Sequence, residues 1–187
     1  PENVFYTSRA FIGTQRSIRD RLAFTVWPRD EAPTLIAYVI EEGLCRLQSW
    51  ISGIRTYLEF TSPIKLLGKV INEKGLDKAR IGIEERYLAA YWHRKLFKSV
   101  PEAEFHEGDT LFEKARSVKT PKEIEVMKEG AQICDKAILT ALELARPGDT
   151  EGKIAENIVS TARKLGRKAA IGEISSGVSS GSNTLCY

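Results

Sequence analysis

The run Thr120-Pro121-Lys122-Glu123 constrains this chain more than any other four residues in it. A Thr suited to cap a helix, a Pro at the first helical position and a Glu able to reach back to the cap amide make a capping box. Ile124, Met127, Ala131, Cys134, Ile138, Ala141 and Ala145 then recur in steps of three and four, so one long amphipathic helix follows. Pro147-Gly148 stops it. Asp149-Thr150-Glu151 starts another, with Ile154, Ile158, Ala162 and Leu165 facing inward and Gly166 at its end. Ala169–Ile174 reads as a strand. The local signals sharpen after Arg116, and a domain boundary is expected near Val118, giving domains 1–118 and 119–187. A lone strand has no partner within the second segment, so either it joins the first half or the rest of its sheet lies outside the chain.

The first half mixes strands and helices. Asn3–Ser8 is short and rich in β-formers, and it reads as a strand. Phe11–Arg21 reads as a loop. Leu22, Phe24 and Val26 alternate with Ala23, Thr25 and Trp27, the pattern of a half-buried strand. After the turn residues Pro28–Pro33, Leu35–Ile40 is nearly all apolar, as in a strand covered on both faces. Together they predict a hairpin with a long loop. Ser62-Pro63 begins a helix with Ile64, Leu67 and Ile71 on one face, and Gly75 ends it. Arg80–Ile83 reads as a strand, Glu84–Phe97 as a helix and Ala103–Phe105 as a further strand. Tyr87, Tyr91 and Trp92 read as core. The expected order is βββαβα, which packs as a mixed sheet flanked by helices.

The 187 residues are 42% hydrophobic and 28% charged, ordinary values for a globular chain. A net charge of +3 is too weak to point to nucleic acid. No run approaches the roughly 18 apolar residues of a membrane helix, and no signal peptide is visible in PENVFY. The chain lacks an initiator Met, which suggests a processed chain or a fragment. Cys45, Cys134 and Cys186 are widely spaced, without a CxxC pair or a Cys/His cluster. An odd count of isolated thiols fits a reducing compartment, so a cytoplasmic location is expected.

Few residues suggest chemistry on their own. Gly177-Val178-Ser179-Ser180-Gly181 matches the GxSxG pattern, but no His, Asp or Glu follows it, so a glycine-rich turn is the better reading. His93 and His106 are the only histidines, and neither has a second ligand at metal spacing. Arg9, Arg16, Arg19 and Arg21 crowd one predicted loop beside a strand. They read either as a solvated loop or as a clamp for a carboxylate, since guanidinium forks bind carboxylates bidentately.

Two stretches carry a family resemblance. Ala115-Arg116-Ser117-Val118-Lys119-Thr120-Pro121-Lys122-Glu123-Ile124-Glu125, followed by Met127, Ala131 and Ala145-Arg146-Pro147-Gly148-Asp149-Thr150-Glu151, resembles the domain junction of the creatinase/prolidase/aminopeptidase P family. Upstream, Asn3-Val4-Phe5-Tyr6 resembles that family's asparagine-x-x-tyrosine strand, and Gly82-Ile83-Glu84 its glycine-x-glutamate strand end. The resemblance implies an α/β fold: a mixed-sheet, ribonuclease-H-like amino-terminal domain over 1–118, followed by the first helices and strand of a truncated α+β pita-bread domain. The family's first helix and strand, which precede the Asn-x-x-Tyr segment, are expected to be missing.

The resemblance also implies a function. The parent would be a hydrolase, an Xaa-Pro dipeptidase or aminopeptidase, with two divalent metals (Mn, Co or Zn) held by two Asp, one His and two Glu. Those ligands are expected beyond Tyr187. Ser180-Gly181-Ser182-Asn183 resembles a family run whose substrate-side His would fall just past the last residue. The chain alone is therefore expected to hold no metal and hydrolyse nothing. A homodimer acting on a peptide substrate is implied, with neither nucleic acid nor membrane as partner. In creatinase an Arg in the loop after the Asn-x-x-Tyr segment contacts the substrate carboxylate. Arg16 and Arg19 lie in the equivalent loop and are the candidate substrate-binding residues. Two alternatives keep the fold: a non-catalytic peptidase-like binding module, and a metal-independent amidinohydrolase or lyase.

Overall fold

A computed structural model describes residues 2–166. The chain divides into two compact units, Pro1–Ser117 and Val118–Tyr187.

In the first unit, helices α1 (Glu2–Ser8) and α2 (Gly13–Ser17) precede strands β1 (Phe24–Val26) and β2 (Thr34–Tyr38). A 3₁₀ turn (Val39–Glu41), α3 (Glu42–Gln48), β3 (Gly53–Tyr57), α4 (Pro63–Glu73) and β4 (Arg80–Ile83) follow. The unit closes with α5 (Ala90–Ser99), β5 (Glu104–Glu107) and α6 (Asp109–Ser117). β1 and β2 form the expected hairpin, antiparallel with Val26 opposite Thr34, and β3 adds to β2 in parallel. β4 and β5 form a separate parallel pair. The architecture is mixed α/β.

β2 is buried at every position, as its apolar run predicts. Successive side chains of a strand point to opposite faces, and the two faces serve different cores. Ile36 and Tyr38 pack with Tyr57, Ile64, Leu67 and Leu96. Leu35 and Ala37 pack with Val4, Ile12, Cys45 and Ile51. Leu35 and Ile36 are 0% exposed, and burying each contributes about 1.5–3 kcal/mol.

α4 forms as its sequence predicts. The Ser62 hydroxyl caps the Lys65 amide, and Pro63 occupies the first turn. Gly75 takes φ 63°, its N–H donates to Asn72 O at 2.9 Å, and the Leu76 N–H donates to Ile71 O at 3.0 Å. That pair of bonds is a Schellman motif.

Several expectations fail. Residues 3–8 are helix α1, not a strand. Val4 is drawn into the core, while the Thr7 hydroxyl donates to Asn3 O at 2.7 Å and the Ser8 hydroxyl to Val4 O at 2.6 Å. Tertiary burial and these back-bonds override β propensity. The loop over 11–21 contains α2. The helix expected from Glu84 starts only at Ala90, because the backbone turns extended at Ala89 (φ −55°, ψ 141°) and breaks any helical run from 84. Tyr87 and Tyr91 are 62% and 50% exposed rather than core, whereas Trp92 does pack on the core. With α1, α2, α3 and α6 present and β3 between α3 and α4, the order is richer in helices than βββαβα.

In the second unit, α7 (Pro121–Leu144) carries the full capping box, with the Thr120 hydroxyl and the Glu123 carboxylate each satisfying the other's backbone N–H. Gly148 takes φ 92° after α7, and the Thr150 hydroxyl caps the Lys153 amide at the start of α8 (Glu151–Lys164). α7 and α8 pack on one another, and the residues they bury most fully are Ala137, Ala141 and Ala162. Ile124, Met127 and Ile138 of the apolar stripe stay exposed. The expected strand Ala169–Ile174 and the Gly177–Gly181 run lie outside the described residues.

Candidate functional site: the arginine segment and a polar cluster

The segment between α1 and β1 is anchored from below and charged on top. Ala10 and Ile12 are buried in the second core. The Phe11 N–H donates to Gln48 Oε1 at 2.9 Å, and the Thr14 N–H to Glu41 Oε1 at 2.8 Å. Gln15 Nε2 donates to Ala23 O at 3.1 Å. α3 and the turn before it therefore fix the segment's backbone.

Its four arginines have different fates. Arg9 ends α1 in the left-handed region, φ 62°, with its N–H on Phe5 O at 2.7 Å. Arg16, on α2, pairs with Glu2 at 3.3 Å and lies over the Phe11 ring, 5.3 Å from its centroid. Arg19 is exposed on the turn after α2. Arg21 turns inward, 4.2 Å above the Tyr38 ring, and its Nη2 donates to Glu59 at 2.9 Å. The Tyr38 hydroxyl and then Arg21 hold the Glu59 carboxyl below its ordinary range. Arg21 is thus committed to structure, while Arg16 and Arg19 present guanidinium groups at the surface. The described structure does not bring Arg16 and Arg19 together around a shared partner.

A second cluster escaped the sequence reading. Asn3 on α1 donates through Nδ2 to Glu84 at the end of β4, and Arg116 Nη1 on α6 donates to Asn3 Oδ1 at 2.8 Å. Asp109 is 2% exposed and accepts the Glu85 N–H at 2.9 Å. A small cavity of about 30 Å³ adjoins Asn3, Thr7, Thr25, Trp27, Glu84 and Phe112. The Trp27 and Trp50 rings stand 5.5 Å apart, and Trp50 Nε1 donates to Thr7 O at 2.8 Å. Burial pushes the Glu84 carboxyl above its ordinary value, against the opposing hydrogen bond from Asn3. Asn3, Glu84 and Arg116 come from three of the motif fragments that carry the family resemblance.

Residues 1–118 match the family model of the creatinase/prolidase N-terminal domain. The chain belongs to the creatinase/prolidase family. An uncharacterized peptidase of Staphylococcus aureus is 24% identical over 166 residues, 89% of this chain and 44% of that protein. The crystal structure of an X-Pro aminopeptidase from Thermotoga maritima matches with a TM-score of 0.72 at 21% identity, over 87% of this chain and 43% of that one. An Xaa-Pro dipeptidase structure from Bacillus anthracis matches with a TM-score of 0.66 at 24% identity, over 88% and 43%. The chain thus spans less than half the length of these relatives.

Creatinase/prolidase relatives named as peptidases direct attention to metal ligands, and the residues described here do not fit such a centre. Among the described residues no group of three or more His, Cys, Asp or Glu could hold an ion. His106 lies 3.5 Å from Arg80 Nε and 3.7 Å from Glu104, while His93 stacks on Phe97 at 4.4 Å. Cys45 is buried and Cys134 exposed, both as free thiols. No helix among the described residues is long and apolar enough to cross a membrane.

Proposed function

We propose that this chain forms the amino-terminal support of an Xaa-Pro peptidase, a hydrolase acting on peptide bonds beside proline. The observation that carries the reading is family membership together with a fold match over 87% of the chain to a structure named as an X-Pro aminopeptidase. Water activation by two divalent metals (Mn, Co or Zn) belongs, in this reading, to the remainder of the full-length protein, and none of its steps passes through the residues described here. The protein works as a homodimer in the cytoplasm.

Within this reading Arg16 and Arg19 recognise the carboxylate end of the peptide. Both are exposed, and the segment that bears them is pinned by Glu41 and Gln48. An Arg fork pre-oriented by its backbone binds a carboxylate bidentately with little loss of freedom. The Glu2 carboxylate beside Arg16 is a competitor that the substrate would displace.

The test is Xaa-Pro dipeptide affinity and turnover in the full-length protein and its Arg16→Ala and Arg19→Ala variants. Weaker dipeptide binding in either variant supports the clamp. Unchanged affinity in both removes it, and failure of the full-length protein to hydrolyse Xaa-Pro peptides with any of the three metals removes the peptidase assignment.

A further inference from the structure

The last helix of the amino-terminal unit is held by polar contacts more than by apolar burial. α6 has nine residues, too few for a stable isolated helix. Asp109, in its first turn, is its one fully buried residue, and Leu111 is 70% exposed. At one end Asp109 Oδ2 accepts the N–H groups of Glu85 and Arg86, at 2.9 and 3.4 Å. At the other end Arg116 donates to Asn3, which donates in turn to Glu84. α1 has only seven residues and meets the same network through Asn3.

We propose that Asn3, Glu84 and Arg116 make a pH-sensitive clasp that fastens α1 and α6 to the end of β4. The geometry is a relay. The amide of Asn3 accepts from Arg116 on one side and donates to Glu84 on the other, so α1 cannot move without breaking its bond to the strand end, nor α6 without breaking its bond to α1. Glu84 faces Asn3 from α1 and both Asp109 and Arg116 from α6. Across the adjoining cavity stand Thr25 of β1 and Trp27 just past its end, both uncharged. Asn3, Thr7, Thr25 and Glu84 share the lining of a cavity of about 30 Å³ with Val4, Trp27 and Phe112; it has room for one water beside these polar groups, so Glu84 can exchange its proton without unfolding.

The sign follows from the balance of these groups. Burial raises the Glu84 carboxyl first; Asn3 and Arg116 pull it down, and Asp109 pushes it up, with a net rise. The folded state therefore keeps this proton to higher pH than the unfolded chain does. Glu84's contribution is full below the ordinary carboxyl range and declines as pH rises through its folded value.

The experiment is a carbon-13 NMR titration of the Glu84 carboxyl in the 187-residue chain, repeated in Arg116→Ala and Asp109→Asn. The expected midpoint lies above that of an exposed Glu, moves higher in Arg116→Ala and lower in Asp109→Asn, where the amide still accepts the Glu85 N–H. Amide exchange in α6, referenced to α4 in the same sample, is expected to quicken with rising pH in the parent but not in Glu84→Gln. An ordinary midpoint that Arg116→Ala leaves in place overturns the clasp. So does α6 exchange with the same pH response in Glu84→Gln as in the parent. If Asp109→Asn does not fold, Arg116→Ala and Glu84→Gln still decide.

Discussion

Arg9 occupies a backbone region that glycine enters freely and other L-residues enter with strain, at φ 62°. Its side chain extends into solvent, so Arg9→Gly relieves the strain at the expense of a more flexible unfolded chain. The net expectation is a gain of up to about 1 kcal/mol in urea unfolding; a clear loss would show that the arginine side chain contributes contacts of its own. Cysteine reactivity separates two other sites. Burial, with Glu41 and Glu42 nearby, pushes the Cys45 thiol up to about 11, so almost no reactive thiolate exists at pH 8. Peptide mapping after alkylation of the folded chain should find Cys134 modified and Cys45 untouched until denaturant is added. Rapid modification of Cys45 in the native state would contradict its burial. The fates of Arg16, Arg19 and Arg21 were not separable from sequence, because only a folded chain reveals that Tyr38 and Glu59 claim the third.

Helix ends were readable where their chemistry is local. Thr120 with Glu123, Ser62 with Pro63, and Gly75 act over three or four residues, and each sits where its side chain or φ requires. Thr120→Ala removes the α7 cap and should lower stability by about 1 kcal/mol, read as a shift in the denaturation midpoint; no shift would mean that Glu123 alone satisfies the helix start. What was not legible depends on distant partners. α1 carries β-forming residues and is helical because Val4 enters a core built by Leu35 and Cys45. Asn3 and Arg116 stand 113 positions apart, so resemblance could mark them as motif residues but could not show that they touch. Helix packing supplies a further check. A Cβ on Gly68 of α4 would come within 2.1 Å of Ser99 Oγ and 3.1 Å of Ser99 Cβ on α5. The hydroxyl can rotate away but Cβ cannot, so Gly68→Ala is expected to destabilise by about 1–3 kcal/mol. A neutral effect in thermal unfolding would show that α4 and α5 separate easily.

At the scale of the whole chain, two opposite pH dependences coexist. Glu59, Glu123 and Asp149 are held below their ordinary values, first by the Tyr38 hydroxyl, the Thr120 amide and the Lys153 ammonium respectively. Their contributions are present at neutral pH and are lost as pH falls through their lowered values, while Glu84 contributes in the reverse sense. Stability measured against pH should therefore fall at strongly acid pH in the parent, and Glu84→Gln should differ from it most at the neutral end. The family fold supplies the frame for all of this: a two-faced β2 strand buries two cores, and a pinned surface segment carries Arg16 and Arg19. The residues described here include no cluster of metal-binding side chains, and under the function proposed above they support chemistry performed elsewhere in an Xaa-Pro peptidase. The most direct measurement is turnover of a fluorogenic Xaa-Pro peptide by the purified 187-residue chain with added manganese. A rate equal to buffer alone is expected; hydrolysis that scales with protein concentration and disappears with a chelator would put metal chemistry within this chain and overturn its supporting role.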